Sequence, residues 1–164
     1  MSIRYQGDID GFVAESRNMA EQGSSSIHTI NPVQITLNGD KAFSVSVGSI
    51  ISRFSKDETD YDLVSQCRFL SRLERVGDDA RRGWKMLSME VIYVHDAITP
   101  AVPEELREDV YSVIAEGRAP RESYRGLAYV LGEMGYQVKD TLPGTDDQSS
   151  VEAVLQRNQS WLYK

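Results

Sequence analysis

His28 is the side chain in this sequence best suited to acid–base chemistry. An imidazole can take a proton from carbon and return one to oxygen, which suits syn elimination or isomerisation. The alternative is a histidine at a strand end whose ring is hydrogen-bonded to the backbone, and both interpretations stay open. The other histidine, His95, adjoins Asp96, and neighbours in an extended strand point to opposite sides, so no dyad is predicted.

Four other polar side chains can bind or orient a substrate, each with an ordinary structural role as the alternative. Asn31 can hold a carbonyl, but directly before Pro32 its side chain more simply shapes the chain. Arg53 can bind a carboxylate or enolate, although an arginine at a strand edge is usually solvated or ion-paired. Tyr93 can donate to an oxyanion or serve as a core tyrosine. Glu90 is a candidate base only if buried, where desolvation favours the protonated form.

The sequence contains no motif typical of a metal site or of a nucleotide-binding site. Two histidines far apart and one cysteine do not make a zinc-ligand set. No glycine loop has the spacing that cradles phosphates. The single cysteine, Cys67, lies in an alternating strand pattern, which favours a small buried residue over a nucleophile. We therefore expect no cofactor and no metal.

Four strand-like segments follow an N-terminal helix that starts at Gly7 and Asp8 and stops at Gly23. The segments are 27–37, 41–54, 61–74 and 84–94, with a further short strand expected at 1–6. Asn38-Gly39 predicts a tight hairpin, because both residues accept positive φ. The last segment is apolar on both faces, which predicts a central strand covered on both sides.

Long antiparallel strands joined by hairpins make a curved meander, whose concave face must be filled by a helix or form a pocket. Helical periodicity then predicts helices at 104–116, 121–134 and 149–161, with a loop at 140–148 around Leu142-Pro143-Gly144. The length fits one α+β domain. It divides into a helix plus curved sheet over about 1–100 and a C-terminal helical extension over about 103–164.

Charge and composition narrow the partners. The chain has 25 acidic and 18 basic residues and a net charge of −7, which argues against a nucleic-acid partner and against an anionic membrane surface. No segment is apolar for long enough to span a bilayer, and the amino terminus has no signal pattern. We expect a cytoplasmic protein.

Several motifs resemble the SnoaL-like branch of the nuclear-transport-factor-2-like superfamily. They are His28-Thr29-Ile30-Asn31-Pro32-Val33, Asn38-Gly39-Asp40-Lys41-Ala42, the run 68–75 closed by Gly83-Trp84-Lys85-Met86, Val91-Ile92-Tyr93 with Asp96, Ser123-Tyr124-Arg125, Leu142-Pro143-Gly144 and Trp161-Leu162. The resemblance covers most of the chain. It implies a cone-shaped, strongly bent sheet wrapped around a pocket, usually in a homodimer, and it matches His28 to the pocket histidine of dehydratase members.

Two departures from that family bear on function. The family normally opens with extra helices that cap the mouth of the cone, and this sequence begins roughly where those helices should have ended. In dehydratase members, a histidine or aspartate on the next strand helps to move protons. The comparable stretch here, Ser49-Ile50-Ile51-Ser52-Arg53, has neither.

Three hypotheses follow. The first is a cofactor-free lyase, isomerase or cyclase acting on an apolar polyketide-, terpenoid- or steroid-like molecule, with His28 as general acid/base. Its substrate-binding candidates are Asn31, Arg53, Phe69, Trp84, Glu90 and Tyr93, and its apolar pocket lining is expected to be Phe43, Val45, Val47, Phe69, Trp84 and Met86 on one concave face. The second is a non-catalytic ligand-binding or dimerisation module of the same fold. The third is a shortened gene product.

Overall fold

The computed structural model describes residues 8–21, 25–77, 83–102 and 121–164, which form an α+β fold. Its elements are α1 (Ile9–Glu21), β1 (Ser25–Asn38), β2 (Lys41–Lys56), β3 (Thr59–Val76), β4 (Gly83–Pro100), a 3-10 turn (Glu122–Tyr124), α2 (Arg125–Glu133) and α3 (Gln148–Leu162). The expected α+β class and the four strands are confirmed. The strand expected at 1–6 and the helix expected at 104–116 lie outside the described residues. None of the described helices is long and apolar enough to cross a membrane.

The sheet is an antiparallel meander in the order β1-β2-β3-β4. The first hairpin forms as expected, but its turn is Gly39 and Asp40, because Asn38 still pairs with Lys41. Only Gly39 takes a positive φ there, of 58°, so the prediction that Asn38 shares it is wrong. The second hairpin is equally tight.

The second turn consists of Asp57 and Glu58, with φ of 49° and 65°. These are left-handed values without a glycine to accommodate them. The sequence predicts only a polar loop between the segments 41–54 and 61–74, because Glu58 stands where a tight turn normally has glycine.

The sheet is curved, and its strand pairing contains three register shifts. β1 shifts between Pro32 and Gln34 against β2. Two further shifts occur between β3 and β4, at Gln66/Cys67 and at Arg72/Leu73. A bulge adds a residue on one strand and increases local twist, so three shifts in one meander favour strong curvature.

β4 is longer than expected and differently placed. It runs to Pro100, six residues past the expected end at Val94. Among the strands that the structure describes it lies at the edge of the sheet, so the prediction of a central strand is wrong for this part of the chain. β4 is apolar on both faces because a helix packs on each side of the sheet.

The two C-terminal helices cover opposite faces of the sheet. On one side, here called the α2 face, α2 packs through Leu127, Val130 and Leu131 against Tyr61, Leu63, Cys67, Phe69, Tyr93 and Ile98. On the other side, the α3 face, α3 packs through Val151, Val154 and Leu162 against Phe43, Leu70 and Ile92. The result is a helix–sheet–helix core.

The three helices that the structure describes differ in how they are anchored. Asp147 caps α3, since its carboxylate accepts from the backbone N–H groups of Ser149 and Ser150. Asp8 begins α1 by accepting from the N–H of Gly11 at 2.9 Å. α1 buries none of its residues, whereas α2 and α3 each bury an apolar stripe.

Candidate functional site

The α2 face is covered by α2 at one end of the sheet and exposed at the other. Beyond Phe69, cross-strand neighbours on this face continue across all four strands as two rows: Ile35, Ser44, Ser71 and Met89, then Leu37, Ala42, Leu73 and Met86. Arg75 and Trp84 follow as the next pair. We define the open face as five exposed apolar side chains: Ile35 (62% exposed), Leu37 (62%), Trp84 (38%), Met86 (58%) and Met89 (44%).

The open face combines a wide apolar surface with a few polar groups. Three strand spacings make it about 14 Å across, and the span from Trp84 to Met89 adds about 17 Å along the strands. The hydroxyls of Ser44 and Ser71 lie between the apolar side chains, and Ser71 is buried. At the rim, the guanidinium of Arg75 lies 4.8 Å from the centroid of the Trp84 ring.

His28 lies on β1, on the α2 face, and is exposed. Its backbone belongs to the β1–β2 ladder, whereas its imidazole makes no hydrogen bond to any other residue that the structure describes. Its cross-strand neighbours run through Ile50 and Ser65 to Asp96. Three strand spacings separate His28 from Asp96, about 14 Å, which is too far for a direct proton transfer.

The carboxylate of Asp96 is hydrogen-bonded to the N-terminus of α2. Its carboxylate accepts from the N–H of Gly126 at 3.0 Å and from that of Leu127 at 2.7 Å, so it caps α2 from a neighbouring strand. Burial raises its pKa, and those two backbone hydrogen bonds act in the opposite direction. Burial, with a smaller effect of the Asp96 charge, also raises the pKa of the Cys67 thiol to about 12. Cys67 is thus the inert buried residue that the strand pattern predicts.

Arg53 and Asn31 are on the other face of the sheet. Arg53 forms a two-pronged ion pair with Asp62, in which both N–O distances are 2.8 Å. The Arg53 side chain is exposed, so this is a solvated surface ion pair, which is the usual state of an arginine at a strand edge. Asn31 is exposed beside Val47 on the α3 face.

Phe69 and Tyr93 are core residues under α2. Both are buried and belong to the cluster that α2 covers. The Tyr93 ring lies 5.3 Å from the ring of Tyr124, and the backbone N–H of Tyr93 donates to the carbonyl of Pro143 at 2.9 Å. Their contribution is to packing beneath the helix rather than to the open face.

Glu90 faces α3, opposite to Tyr93 as the strand alternation predicts. Its carboxylate accepts from the Arg157 guanidinium and from the Asn158 amide, the latter at 3.0 Å. Although its side chain is largely buried, these donors hold it as part of a helix–sheet connection. It is on the wrong side of the sheet to meet His28.

The expected pocket lining is divided between the two faces. Phe69, Trp84 and Met86 are on the α2 face, whereas Phe43, Val45 and Val47 are on the α3 face. The expectation of one shared concave face is therefore wrong for three of the six. The physical reason is register, because Phe43 pairs with Arg72 and Val45 with Leu70.

Among the residues that the structure describes, no group of three His, Cys, Asp or Glu side chains is placed to hold a metal ion. No protein-family model and no curated protein matches the chain. Function is therefore inferred from the arrangement of the side chains themselves.

Sequence reasoning names two members of the open face, Trp84 and Met86, and misses the other three. Ile35, Leu37 and Met89 sit in strand patterns that give no sign of which end of the sheet a helix will cover. One feature of the sequence did point to the open face. The last strand is apolar on both faces, and a single packed helix can cover only one of them.

Proposed function

We propose that this chain is a SnoaL-like module of the nuclear-transport-factor-2-like fold that binds a small apolar molecule on the open face and does not transform it. The main observation behind this proposal is the open face, where five apolar side chains are exposed on one side of the sheet. A single exposed apolar residue is normal on a protein surface. A contiguous group of them is typical of a binding site.

The chemistry of the open face suits a flat, polycyclic, steroid- or polyketide-like ligand. Its footprint of about 14 Å by 17 Å can cover fused rings. Trp84 offers a ring to stack on, and Met86 and Met89 adapt their shape to a partner. Ser44 and Ser71 can orient a ligand hydroxyl or carbonyl, and Arg75 can attract a partial negative charge at the rim.

The placement of proton-transfer groups favours binding over catalysis. Within the described part of the chain, the two rows that span the open face contain no ionisable side chain, and Arg75 follows in the next pair. His28 is exposed near the sheet edge, Asp96 caps α2, and Glu90 is held by α3 on the opposite face. The lyase hypothesis requires an acid or base beside the ligand, and the two rows that span the open face contain neither.

The test is a comparison of two lysine substitutions with matched exposure. Met89 and Val47 are each 44% exposed but lie on opposite faces. We expect Met89→Lys to weaken binding of the neutral dye Nile red about tenfold, because a charged side chain replaces an apolar contact. A tenfold change corresponds to about 1.4 kcal/mol of binding free energy. Fluorescence titration measures the affinity of each variant.

Val47→Lys is the control and should bind the dye within about twofold of the parent chain. Near-ultraviolet circular dichroism of both variants checks that tertiary packing is intact, since a loosened core also takes up dye. Equal loss in the two variants, or full binding by Met89→Lys, would contradict the proposal.

A further inference from the structure

Arg75 lies at the rim of the open face with a guanidinium that no described carboxylate pairs with. Its backbone N–H donates to the carbonyl of Asp40 at 2.7 Å, which fixes its position near the end of β3. Its side chain is exposed, contacts the Trp84 ring and forms no ion pair with any residue that the structure describes. A guanidinium beside an aromatic ring keeps the N–H groups at its edge for hydrogen bonding.

Arg53 and Arg72 are arginines of the same sheet that lie beside acids. Arg53 forms its two-pronged ion pair with Asp62. The Nη2 atom of Arg72 lies 4.0 Å from a carboxylate oxygen of Glu90. Arg75 instead borders an apolar surface. In a chain of net charge −7, a cation in that position favours an anion as its partner.

A single guanidinium at the rim favours a carboxylate over a phosphate. Lys41 and Lys85 are the cations of the adjacent row, and they pair in register with Glu74 on the α3 face, opposite to Arg75. Among the described residues, Arg75 is therefore the cation at this rim. A planar guanidinium matches the two oxygens of one carboxylate, whereas phosphate groups are typically bound by clusters of arginines.

The rows of the open face limit the length of the ligand. From Arg75 to Ser71 the strand advances four residues, or about 13 Å. Leu73 lies between them on the same face, with Met86 as its partner on β4. An apolar surface of that length thus separates a group that binds a carboxylate from a hydroxyl that can bind a ligand hydroxyl or carbonyl.

We propose that the ligand of the open face is an apolar carboxylic acid, whose carboxylate pairs with Arg75 and whose apolar body lies over Leu73 and Met86 towards Ser71. This inference rests on the proposed function, since it specifies the ligand of the same surface. Burial of the apolar body supplies the affinity, and the guanidinium supplies the preference for an acid. The net negative charge of the chain disfavours an anion elsewhere on the surface, so the preference depends on Arg75.

The test compares one acid with its neutral amide. 1-Pyrenebutanoate and 1-pyrenebutanamide share their fused rings and differ in charge, and pyrene fluorescence reports the binding of each. We expect the parent chain to bind the acid about fivefold more tightly than the amide, which is the size of a favourable exposed ion pair. Arg75→Gln should reduce this ratio to about one. Loss of the Trp84 contact alone would weaken both probes alike and leave the ratio unchanged.

Arg68→Gln is the matched control. Arg68 is also an exposed arginine of β3, and it lies on the opposite face of the sheet, opposite Val47 of β2. The substitution removes the same charge from the chain, so it should leave the acid-to-amide ratio at about fivefold. An equal loss of the ratio in the two variants would show that net charge sets the preference, and it would overturn the role of Arg75. Near-ultraviolet circular dichroism checks that both variants keep their tertiary packing.

Titration of the parent chain separates the preference for an acid from binding itself. Equal affinity for the acid and the amide, or a fivefold ratio that survives Arg75→Gln, overturns the acid ligand and leaves the open face as a site for neutral molecules. Binding of neither probe overturns the acid ligand together with the proposed function.

Discussion

Asn158 is the residue that connects α3 to the sheet. Its side chain is fully buried, and its Oδ1 accepts from the Arg72 guanidinium at 2.7 Å. Its amide donates to Glu90 at 3.0 Å and to the carbonyl of Val154 at 2.8 Å. The Asn158 amide thus connects Arg72 on β3 and Glu90 on β4 to α3. The connection stabilises the packing, because a buried polar group without a hydrogen-bond partner is costly.

Asn158→Ala should lower the free energy of unfolding by about 2 to 4 kcal/mol, since Arg72 and Glu90 both lose a partner in a largely buried setting. The neighbouring exposed residue provides the control, and Gln159→Ala should stay within about 0.5 kcal/mol of the parent. Urea unfolding monitored by circular dichroism measures both. Similar losses in the two variants would show that the Asn158 network does not anchor α3.

Sequence periodicity places Asn158 correctly on the inner side of its helix, with Val151, Val154 and Leu162. It cannot supply the partners, because Arg72 and Glu90 lie 86 and 68 residues away in the chain. The same limit applies to His28. Its residue type suits acid–base chemistry, but its exposure depends on the position of β1 at the sheet edge.

Among the connecting segments, the loop between α2 and α3 is held by several hydrogen bonds to one carboxylate. Asp146 accepts from Arg121 at 2.7 and 2.9 Å, from the Glu122 N–H at 2.9 Å and from the Ser123 hydroxyl at 2.7 Å. The Arg121 hydrogen bonds hold the pKa of Asp146 well below its ordinary range, and Ser123 adds to that effect. The loop is thereby presented to the edge of β4.

Gly144 is a position in this loop where the backbone lies close to the 3-10 turn. A Cβ at that position would lie 2.0 Å from the Ser123 hydroxyl oxygen. Gly144→Ala should therefore destabilise the fold by about 1 to 3 kcal/mol through overpacking. Thermal unfolding measures the loss.

Gly132→Ala is the companion variant, at a position in α2 where a Cβ meets nothing within 4 Å. It should stabilise the fold by about 0.5 to 1 kcal/mol, because alanine is the better helix former. A change of the same sign in both glycine variants would contradict the close contact assigned to Gly144.

At the scale of the whole molecule, alternation predicts the strands and helices well but not how the layers are assembled. The four strand segments and the helix that begins near 148 are recovered to within a few residues, apart from the C-terminal part of β4. His95 and Asp96 break the apolar pattern there, yet the strand continues to Pro100 because it still pairs with β3. Local pattern cannot anticipate that pairing.

The face to which each apolar residue belongs is also a property of the assembled molecule. Because helices cover both sides of the sheet, Phe43 and Phe69 are both buried, yet they contact different helices. Two-sided burial removes the polar–apolar contrast that normally identifies the inner face. The open face could be recognised only after α2 and α3 had been placed.

The most direct test of ligand binding on the open face uses the two tryptophans of the chain. Trp84 belongs to the open face, while Trp161 lies near Lys41 and Arg72 on the opposite side of the sheet. In a Trp161→Phe variant, the emission of Trp84 alone is followed during titration with a neutral steroid. The structure predicts a saturable shift of that emission to shorter wavelength, because the half-exposed indole loses water to the ligand. An unchanged Trp84 spectrum while the steroid binds, or a response only from Trp161 in a Trp84→Phe variant, would contradict a binding site on the open face.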